Sequence, residues 1–278
     1  MKTIFKITTS AIIVAIATLF LTLFVAPSNV AFADSVDEES YFGISYTYSA
    51  TENFSYATKT TQSHMFTDKV PAYFDTQSRN YTCAPVAAAN LIGYYDRYFP
   101  ALVPDIATGY ARGTKYLYYP MSRVQTQIQA LINDLAARMG TTASGTSQSN
   151  FEIGLSAYVT SKNLSVTYTS VTNSMSFSVD NAIAQLENGN PIVFFANGVA
   201  FTTCTDINNS VELQITMSND SHIFVAFGYQ KVTYYDAGGN VVREYVYFKT
   251  ASGEQSITGY YLFNYNGTIN AATAVHIG

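Results

Sequence analysis

Residues 80–96 read NYTCAPVAAANLIGYYD, and they carry the strongest structural signal in the chain. Over residues 83–99, apolar side chains recur at successive spacings of four, three, one, three and four residues, which lines one face of a helix. They are Ala84, Ala88, Leu91, Ile92, Tyr95 and Phe99. Cys83 precedes them, and Pro85 stands in the first turn, where its missing N–H costs no hydrogen bond. The pattern predicts a helix over 83–99 with a thiol at its N-terminus.

The predicted position of Cys83 suits a nucleophile. The positive end of the helix dipole and the N–H groups of the first turn favour the thiolate form. The same N–H groups can stabilise an oxyanion on a carbonyl that the sulfur attacks. Three other roles remain open: a buried structural cysteine, a disulfide with Cys204, and a zinc site with Cys204 and His222. The zinc site is disfavoured because it lacks a fourth ligand and the paired spacing typical of such sites.

A cysteine nucleophile needs a base, and the histidines of this chain are His64, His222 and His276. His64 lies in a polar segment, and His276 lies close to the C-terminus in an apolar strand. His222 begins HIFVAFGYQKVTYY, residues 222–235, which has the composition of a long strand. Its own face of that strand is predicted to carry Phe224, Ala226 and Gly228. We therefore expect His222 to open the strand at the rim of a sheet, facing the helix N-terminus.

The remaining elements are predicted as helices first and strands afterwards. Further helices are expected at 122–139, at about 150–161 and at 178–188. Ser122 and Ser178 are the predicted N-caps. Strands are predicted at 192–196, 211–217, 222–235, 240–251, 260–265 and 271–277. The turn 236–240 joins two of them into a hairpin. This order indicates an α+β fold in which a helical half packs on an antiparallel sheet half.

Charge and composition disfavour several classes of protein. The 278 residues include 14 basic and 19 acidic side chains, giving a net charge of −5. Without a basic cluster, such a chain is not expected to bind nucleic acid through phosphate contacts. Two cysteines exclude a disulfide-rich scaffold and a zinc finger with four cysteine ligands. The apolar fraction of 48% excludes a disordered chain.

Residues 1–33 have the features of a secretory signal peptide. Lys2 and Lys6 form a basic start, an apolar run covers 11–26, and residues 31–33 read AFA, which predicts cleavage after Ala33. The alternative is an uncleaved membrane anchor, although the apolar run is short for a span. The protein is therefore expected to be secreted and to have no membrane attachment after cleavage.

Segment 34–70 is rich in Ser, Thr and Tyr and short of aliphatic residues. Three interpretations of it remain open: a mobile N-terminal arm, a removable propeptide, or an extra strand packed on the body. The body itself is predicted to be a single domain over residues 71–278, which is long enough to bury a substantial core.

Residues 80–96 resemble the active-site segment of the papain-like cysteine peptidases. The likeness is greatest to the secreted bacterial branch that is similar to bacteriocin-processing peptidases, with streptopain-like enzymes at greater distance. Gln77 lies six positions before Cys83, where the family carries its oxyanion-hole glutamine, and residues 222–230 look like the family's histidine strand. Residues 178–196 are similar to the helix, turn and strand that precede it. The order glutamine, cysteine, histidine also matches.

The resemblance implies a papain-like α+β fold and hydrolysis of peptide bonds in peptide or protein substrates. Cys83 would attack the carbonyl, and His222 would take the thiol proton and return it to the leaving amine. Gln77 and the backbone N–H of Cys83 would hold the oxyanion. No metal ion or organic cofactor is implied.

One position departs from the family pattern. Papain-like enzymes place an Asn or Asp where it can orient the imidazole, and a simple hairpin register brings residues 250–254, TASGE, opposite His222. Thr250, Glu254 or a backbone carbonyl could serve there, and Asn264 fits by residue type but lies far away in this register. The second hypothesis is therefore a non-catalytic secreted papain-like binding protein that recognises a host or cell-wall partner.

Overall fold

The computed structural model describes residues 46–50, 54–66, 70–77, 79, 81–103, 109–112, 115–173, 176–207, 210–251, 253, 258–262 and 268–278. In several strands, including residues 198–207 and 210–220, only the backbone is described. The predicted signal peptide, Glu254 and Asn264 lie outside the described residues.

The helices of the described residues agree with the predicted ones to within a few residues. They are α1 (Cys83–Asp96), α2 (Met121–Arg138), α3 (Gln148–Thr160) and α4 (Val179–Glu187). The cap of α4 is confirmed, because the Ser178 hydroxyl accepts a hydrogen bond from the Asn181 N–H at 3.3 Å. The predicted cap Ser122 is wrong. Helix α2 begins one residue earlier, after Pro120, whose extended backbone leads into the buried side chain of Met121.

No helix among the described residues combines the length and the hydropathy needed to cross a lipid bilayer.

Twelve strands are described, and every pairing between them is antiparallel. They are β1 (Tyr46–Ala50), β2 (Thr58–Met65), β3 (Gly109–Arg112), β4 (Lys115–Tyr118), β5 (Val166–Ser170), β6 (Thr172–Asn173), β7 (Ser176–Phe177), β8 (Ile192–Ile207), β9 (Ser210–Tyr235), β10 (Val241–Ala251), β11 (Thr258–Leu262) and β12 (Thr268–Ile277). The main sheet has the order β1-β9-β10-β11-β8-β12-β5, and β2 also pairs with β9. Helices and this antiparallel sheet form the predicted α+β architecture.

Strand β9 is longer than the sequence suggested. The predicted strands 211–217 and 222–235 are one element, so the expectation that His222 opens its strand is wrong. Before His222, Ser221 lies opposite Asn197 of β8, and the pairing resumes at Ser218 opposite Val199 after an irregularity in the register. Backbone hydrogen bonds between strands form whatever the side chains are. The alternation of apolar side chains therefore predicted a start of β9 that is too late in the sequence.

The two faces of the sheet carry separate hydrophobic clusters. The helix-side cluster joins α1, α2 and α3 to Val193, Phe195, Ile223, Val225 and Phe227. The far-side cluster joins α4 to Ile192, Phe194, Phe224 and Ala226. Neighbouring residues of β8 and β9 therefore alternate between the two clusters, as the period of a β-strand requires. The predicted division of residues 223–226 between two faces is confirmed.

Strand β2 fastens part of segment 34–70 to the body. It pairs with β9 from Thr58 opposite Tyr235 to Met65 opposite Gly228. The Gln62 amide donates a hydrogen bond to the buried Tyr229 hydroxyl at 2.8 Å, and this hydroxyl donates to Glu187 at 2.6 Å. Burial, together with the bond to Glu187, raises the pKa of Tyr229 to about 12, so the phenol keeps its proton. Residues 58–65 are therefore an integral strand of the sheet.

Gly228 lets β2 approach β9 closely. A Cβ atom at this position would stand 2.5 Å from both the His64 carbonyl oxygen and the Met65 sulfur. We expect Gly228→Ala to lower the free energy of unfolding by about 1–3 kcal/mol through overpacking. Urea denaturation measures this difference. The control is Gly238→Ala in the β9–β10 turn, where side-chain ends can give way and the expected change is about 0.5 kcal/mol or less. Equal effects of the two substitutions would contradict this account.

Candidate active site

Cys83 is the first residue of the most deeply buried helix in the described structure. Every residue of α1 from Ala84 to Asp96 is buried, so the predicted single apolar face understates its burial. Cys83 itself is half-buried and packs against the helix-side cluster. The start of α1 is thus the end at which this central helix reaches the surface.

Cys83 and the residue before it, Thr82, form the N-terminus of α1. Cys83 is present as a thiol, so the alternative Cys83–Cys204 disulfide is not formed, and Cys204 lies in β8 where only the backbone is described. Thr82 is the N-cap residue, but its side chain makes no capping hydrogen bond to α1. No acidic residue stands in the first turn. The positive end of the helix dipole at Cys83 is therefore not offset by a side-chain cap from Thr82 or by a carboxylate in the first turn.

A buried aspartate, Asp75, organises the segment that leads into α1. Its Oδ1 accepts the Gln77 backbone N–H at 2.9 Å. Its Oδ2 accepts the Arg79 Nε–H at 2.7 Å and the Thr82 hydroxyl at 2.8 Å. Burial acts to raise the pKa of Asp75, but these hydrogen bonds outweigh it and hold the pKa below its usual 3.8. The carboxylate thus joins the residue before Cys83 to the backbone of Gln77.

Helix α2 supports the same segment from the outside. Gln129 Oε1 accepts hydrogen bonds from both the backbone N–H and the hydroxyl of Thr76, at 2.9 and 2.7 Å. The Arg79 guanidinium donates to Asn133 Oδ1 at 2.8 Å. Gln77, which follows Thr76, is exposed to solvent. Its backbone N–H is held by Asp75, while its side chain stays accessible to solvent.

Helix α1 also holds the chain that precedes Asp75. The buried Asn90 accepts the Tyr73 N–H at 2.7 Å and donates to the Tyr73 carbonyl at 3.1 Å. One turn further on, a Cβ atom at Gly93 would stand 2.5 Å from the Tyr73 ring. A polar amide and a glycine in an apolar helix therefore allow an extended segment to dock against it.

His222 lies in β9 and is buried. Its ring stacks on that of Phe224, with 5.9 Å between the ring centroids and 18° between the planes. Phe224 belongs to the far-side cluster, and His222 pairs across the sheet with Ala196 of the same cluster. The imidazole therefore lies on the sheet face of Phe224, as predicted.

The chain that follows β10 meets the first turn of α1. A Cβ atom at Gly253 would stand 2.8 Å from the Val86 side chain. Gly253 follows Ala251, which pairs with Val225, three residues from His222. The first turn of α1 therefore lies beside the chain that follows β10, and the pairing of Cys83 with His222 stays a prediction.

The register of β10 bears on the residue that would orient His222. Thr250 is buried and pairs with Ala226, four residues along β9 from His222. Four residues of a strand span about 13 Å, which is too far for Thr250 to accept a hydrogen bond from the imidazole. Thr250 is therefore removed as a candidate.

Sequence reasoning missed Asp75, the residue that connects this site. A signal for it was present, because an aspartate two residues before another turn residue often accepts that residue's N–H. The convergence of Arg79 and Thr82 on the same carboxylate is not visible in the sequence, since it depends on how the intervening chain turns.

The Asp75 hydrogen bonds make stability depend on pH. A carboxylate whose folded pKa is lowered stabilises the protein above its unfolded pKa, and this stabilisation is lost as the pH falls through the folded value. We expect Asp75→Asn to lower the free energy of unfolding by about 1–3 kcal/mol at pH 5 to 7. The deficit should shrink as the pH falls below the ordinary value of 3.8.

Denaturant unfolding of both proteins across this pH range measures the deficit. Asp134→Asn is a matched control, because Asp134 pairs with Arg138 at the same i,i+4 spacing but is exposed. Its expected effect is below about 0.5 kcal/mol at every pH. A deficit for Asp75→Asn that does not change with pH would contradict the assignment.

Comparison with known proteins identifies the family. The model of the Peptidase_C39 like family matches residues 67–260, more than half of the chain, and the match includes the Asp75 segment, α1 and β9. No curated protein and no solved structure matches the chain. The mixed helices and antiparallel sheet agree with the papain-like fold of such peptidases. The chain therefore belongs to the Peptidase_C39 like family of papain-like cysteine peptidases.

Proposed function

We propose that the protein is a secreted cysteine peptidase that hydrolyses peptide bonds through Cys83, His222 and Gln77. The observation that carries the proposal is the position of Cys83, a thiol at the start of a buried helix whose N-cap residue makes no side-chain cap and whose first turn holds no acidic residue. Membership of a peptidase family supplies the substrate class, a peptide or protein.

The first chemical step is attack by the Cys83 thiolate on the substrate carbonyl. The dipole of α1 favours the thiolate, and a carbon–sulfur bond forms as the carbonyl oxygen gains negative charge. The Gln77 side-chain amide and the Cys83 backbone N–H donate to that oxygen. Gln77 is exposed on a fixed backbone, which suits this contact.

His222 moves the protons in this mechanism. It takes the proton from the thiol and gives it to the leaving amine when the peptide C–N bond breaks. It then takes a proton from the water that hydrolyses the thioester, and the sulfur leaves. This role requires the imidazole to leave its stacking on Phe224 and to reach the Cys83 sulfur at the start of α1.

One observation favours a second candidate function. The His222 ring lies on the sheet face opposite the helix-side cluster, against which Cys83 packs. An imidazole that stays on that face would not exchange a proton with the thiol. The chain would then be a secreted papain-like protein that binds a host or cell-wall partner without cleaving it.

Alkylation of Cys83 by iodoacetamide separates the two functions. For the peptidase we expect fast labelling well below the ordinary thiol pKa of about 8.5, because the imidazolium stabilises the thiolate. His222→Ala should shift the labelling profile toward that ordinary value. The protein without residues 1–33 is labelled at a series of pH values. Peptide mass spectrometry then locates and quantifies the label. His276→Ala is the matched control, since His276 is an exposed histidine of β12.

An ordinary thiol profile that does not respond to His222→Ala would exclude the dyad and support the binding protein. Labelling that appears only after reduction would point to a disulfide at Cys83 in the secreted protein, and this too would exclude thiol chemistry.

Secretion is tested at the N-terminus. Cleavage after Ala33 predicts a mature chain that begins at Asp34. This chain retains β2, in which Gln62 bonds to Tyr229 and Met65 pairs with Gly228. N-terminal sequencing of protein from the culture medium checks this. A mature chain that begins between residues 65 and 72 would instead show that β2 is removed with a propeptide.

A further inference from the structure

We propose that Asp75 is the positioning residue of the oxyanion hole and sets the placement of Gln77 relative to the Cys83 backbone N–H. The inference rests on the proposed function, because it assigns Gln77 and Cys83 as the donors. Asp75 itself contacts neither the substrate nor the sulfur in this assignment, and it acts through the residues that it holds.

The contacts of Asp75 reach both sides of the proposed hole. Oδ1 accepts the Gln77 backbone N–H at 2.9 Å, and Oδ2 accepts the hydroxyl of Thr82 at 2.8 Å. Thr82 is joined by one peptide bond to Cys83. A single rigid carboxylate therefore links the backbones on which the two donors stand. An oxyanion hole depends on such preorganisation, because its donors must already point to one oxygen when charge develops.

The surroundings keep this carboxylate ionised and immobile. It is only 8% exposed, and the Arg79 guanidinium donates to it at 2.7 Å. Arg79 is in turn bonded to Asn133, and Gln129 holds Thr76 between Asp75 and Gln77. A buried ionised carboxylate with three donors fixes the geometry of a turn more firmly than a neutral side chain would.

The Thr82 hydroxyl supports the same assignment. Thr is a good N-cap residue, and its hydroxyl would ordinarily accept a helix N–H. Here the hydroxyl proton is shared between Asp75 Oδ2 at 2.8 Å and the Arg79 carbonyl oxygen at 2.9 Å, and the side chain makes no cap to α1. The chain thereby forgoes a local stabilising contact of about 1 kcal/mol, and it gains a connection between the start of α1 and the Gln77 segment.

Two small reagents distinguish positioning of the hole from general stability. p-Nitrophenyl acetate acylates a thiolate: the sulfur–carbonyl bond forms, an oxyanion develops, and p-nitrophenolate leaves. Iodoacetamide alkylates the same thiolate by displacement of iodide, and no oxyanion develops. The ratio of the two rate constants at Cys83 therefore reports the hole. Cys83→Ala supplies the background rate for both reagents.

We expect Asp75→Asn to lower the acylation rate by about tenfold or more while the alkylation rate stays within about twofold. Gln77→Ala should lower acylation in the same way. If Asp75 acts through Gln77, Asp75→Asn has a smaller effect in the Gln77→Ala background than in the native chain. Thr82→Val removes a single donor and keeps the side-chain shape. We therefore expect a smaller decrease in the acylation rate. This variant tests the proposal if Asp75→Asn does not fold.

Asp96→Asn is the matched control. Asp96 is a buried aspartate at the other end of α1 and accepts the Val103 N–H at 2.8 Å. Its replacement should leave the ratio of the two rates unchanged. An unchanged ratio in Asp75→Asn and Thr82→Val, or full additivity with Gln77→Ala, would overturn the proposal. An ordinary thiol rate with iodoacetamide in the native chain would instead overturn the proposed function.

Discussion

The burial of α1 on all sides is the constraint on which the other parts of this structure depend. The helix packs against α2, α3 and β9, and its residues from Ala84 to Asp96 are all buried. A helix so enclosed can place reactive chemistry at its ends only. The chain puts its thiol at the N-terminal end, where dipole and backbone N–H groups act together. The packing of the body and the proposed chemistry therefore depend on the same helix.

Polar groups inside this apolar body have specific structural roles. Asn90 satisfies the backbone of Tyr73, and Asp75 gathers three donors from the turn that follows. Buried polar atoms are costly unless they are bonded, so each group stabilises one conformation of the chain that enters α1. The site is thus shaped by side chains that do not react, and the candidate donors stand on backbone that these side chains hold.

The sheet contributes differently, through strand β9 and its two faces. The strand pairs with β1, β2, β8 and β10, so it connects the N-terminal strands to the rest of the body. Because side chains alternate between the two faces of β9, Ile223 and Val225 pack against the helices and Phe224 packs on the far side. His222 lies two residues before Phe224, and its ring stacks on Phe224 on the same face of the strand.

Local patterns in the sequence were sufficient to predict α1, the thiol at its start and the α+β order of elements. Helix periodicity, N-terminal residues and strand alternation are properties of neighbouring residues, and they survive folding unchanged. The start of β9 and the role of Asp75 were not predictable in this way. Backbone pairing carried β9 through polar residues, and the Asp75 carboxylate depends on how Gln77, Arg79 and Thr82 converge on it. Such convergence exists only once α1 and α2 have enclosed the turn, because a buried carboxylate needs its donors already in place.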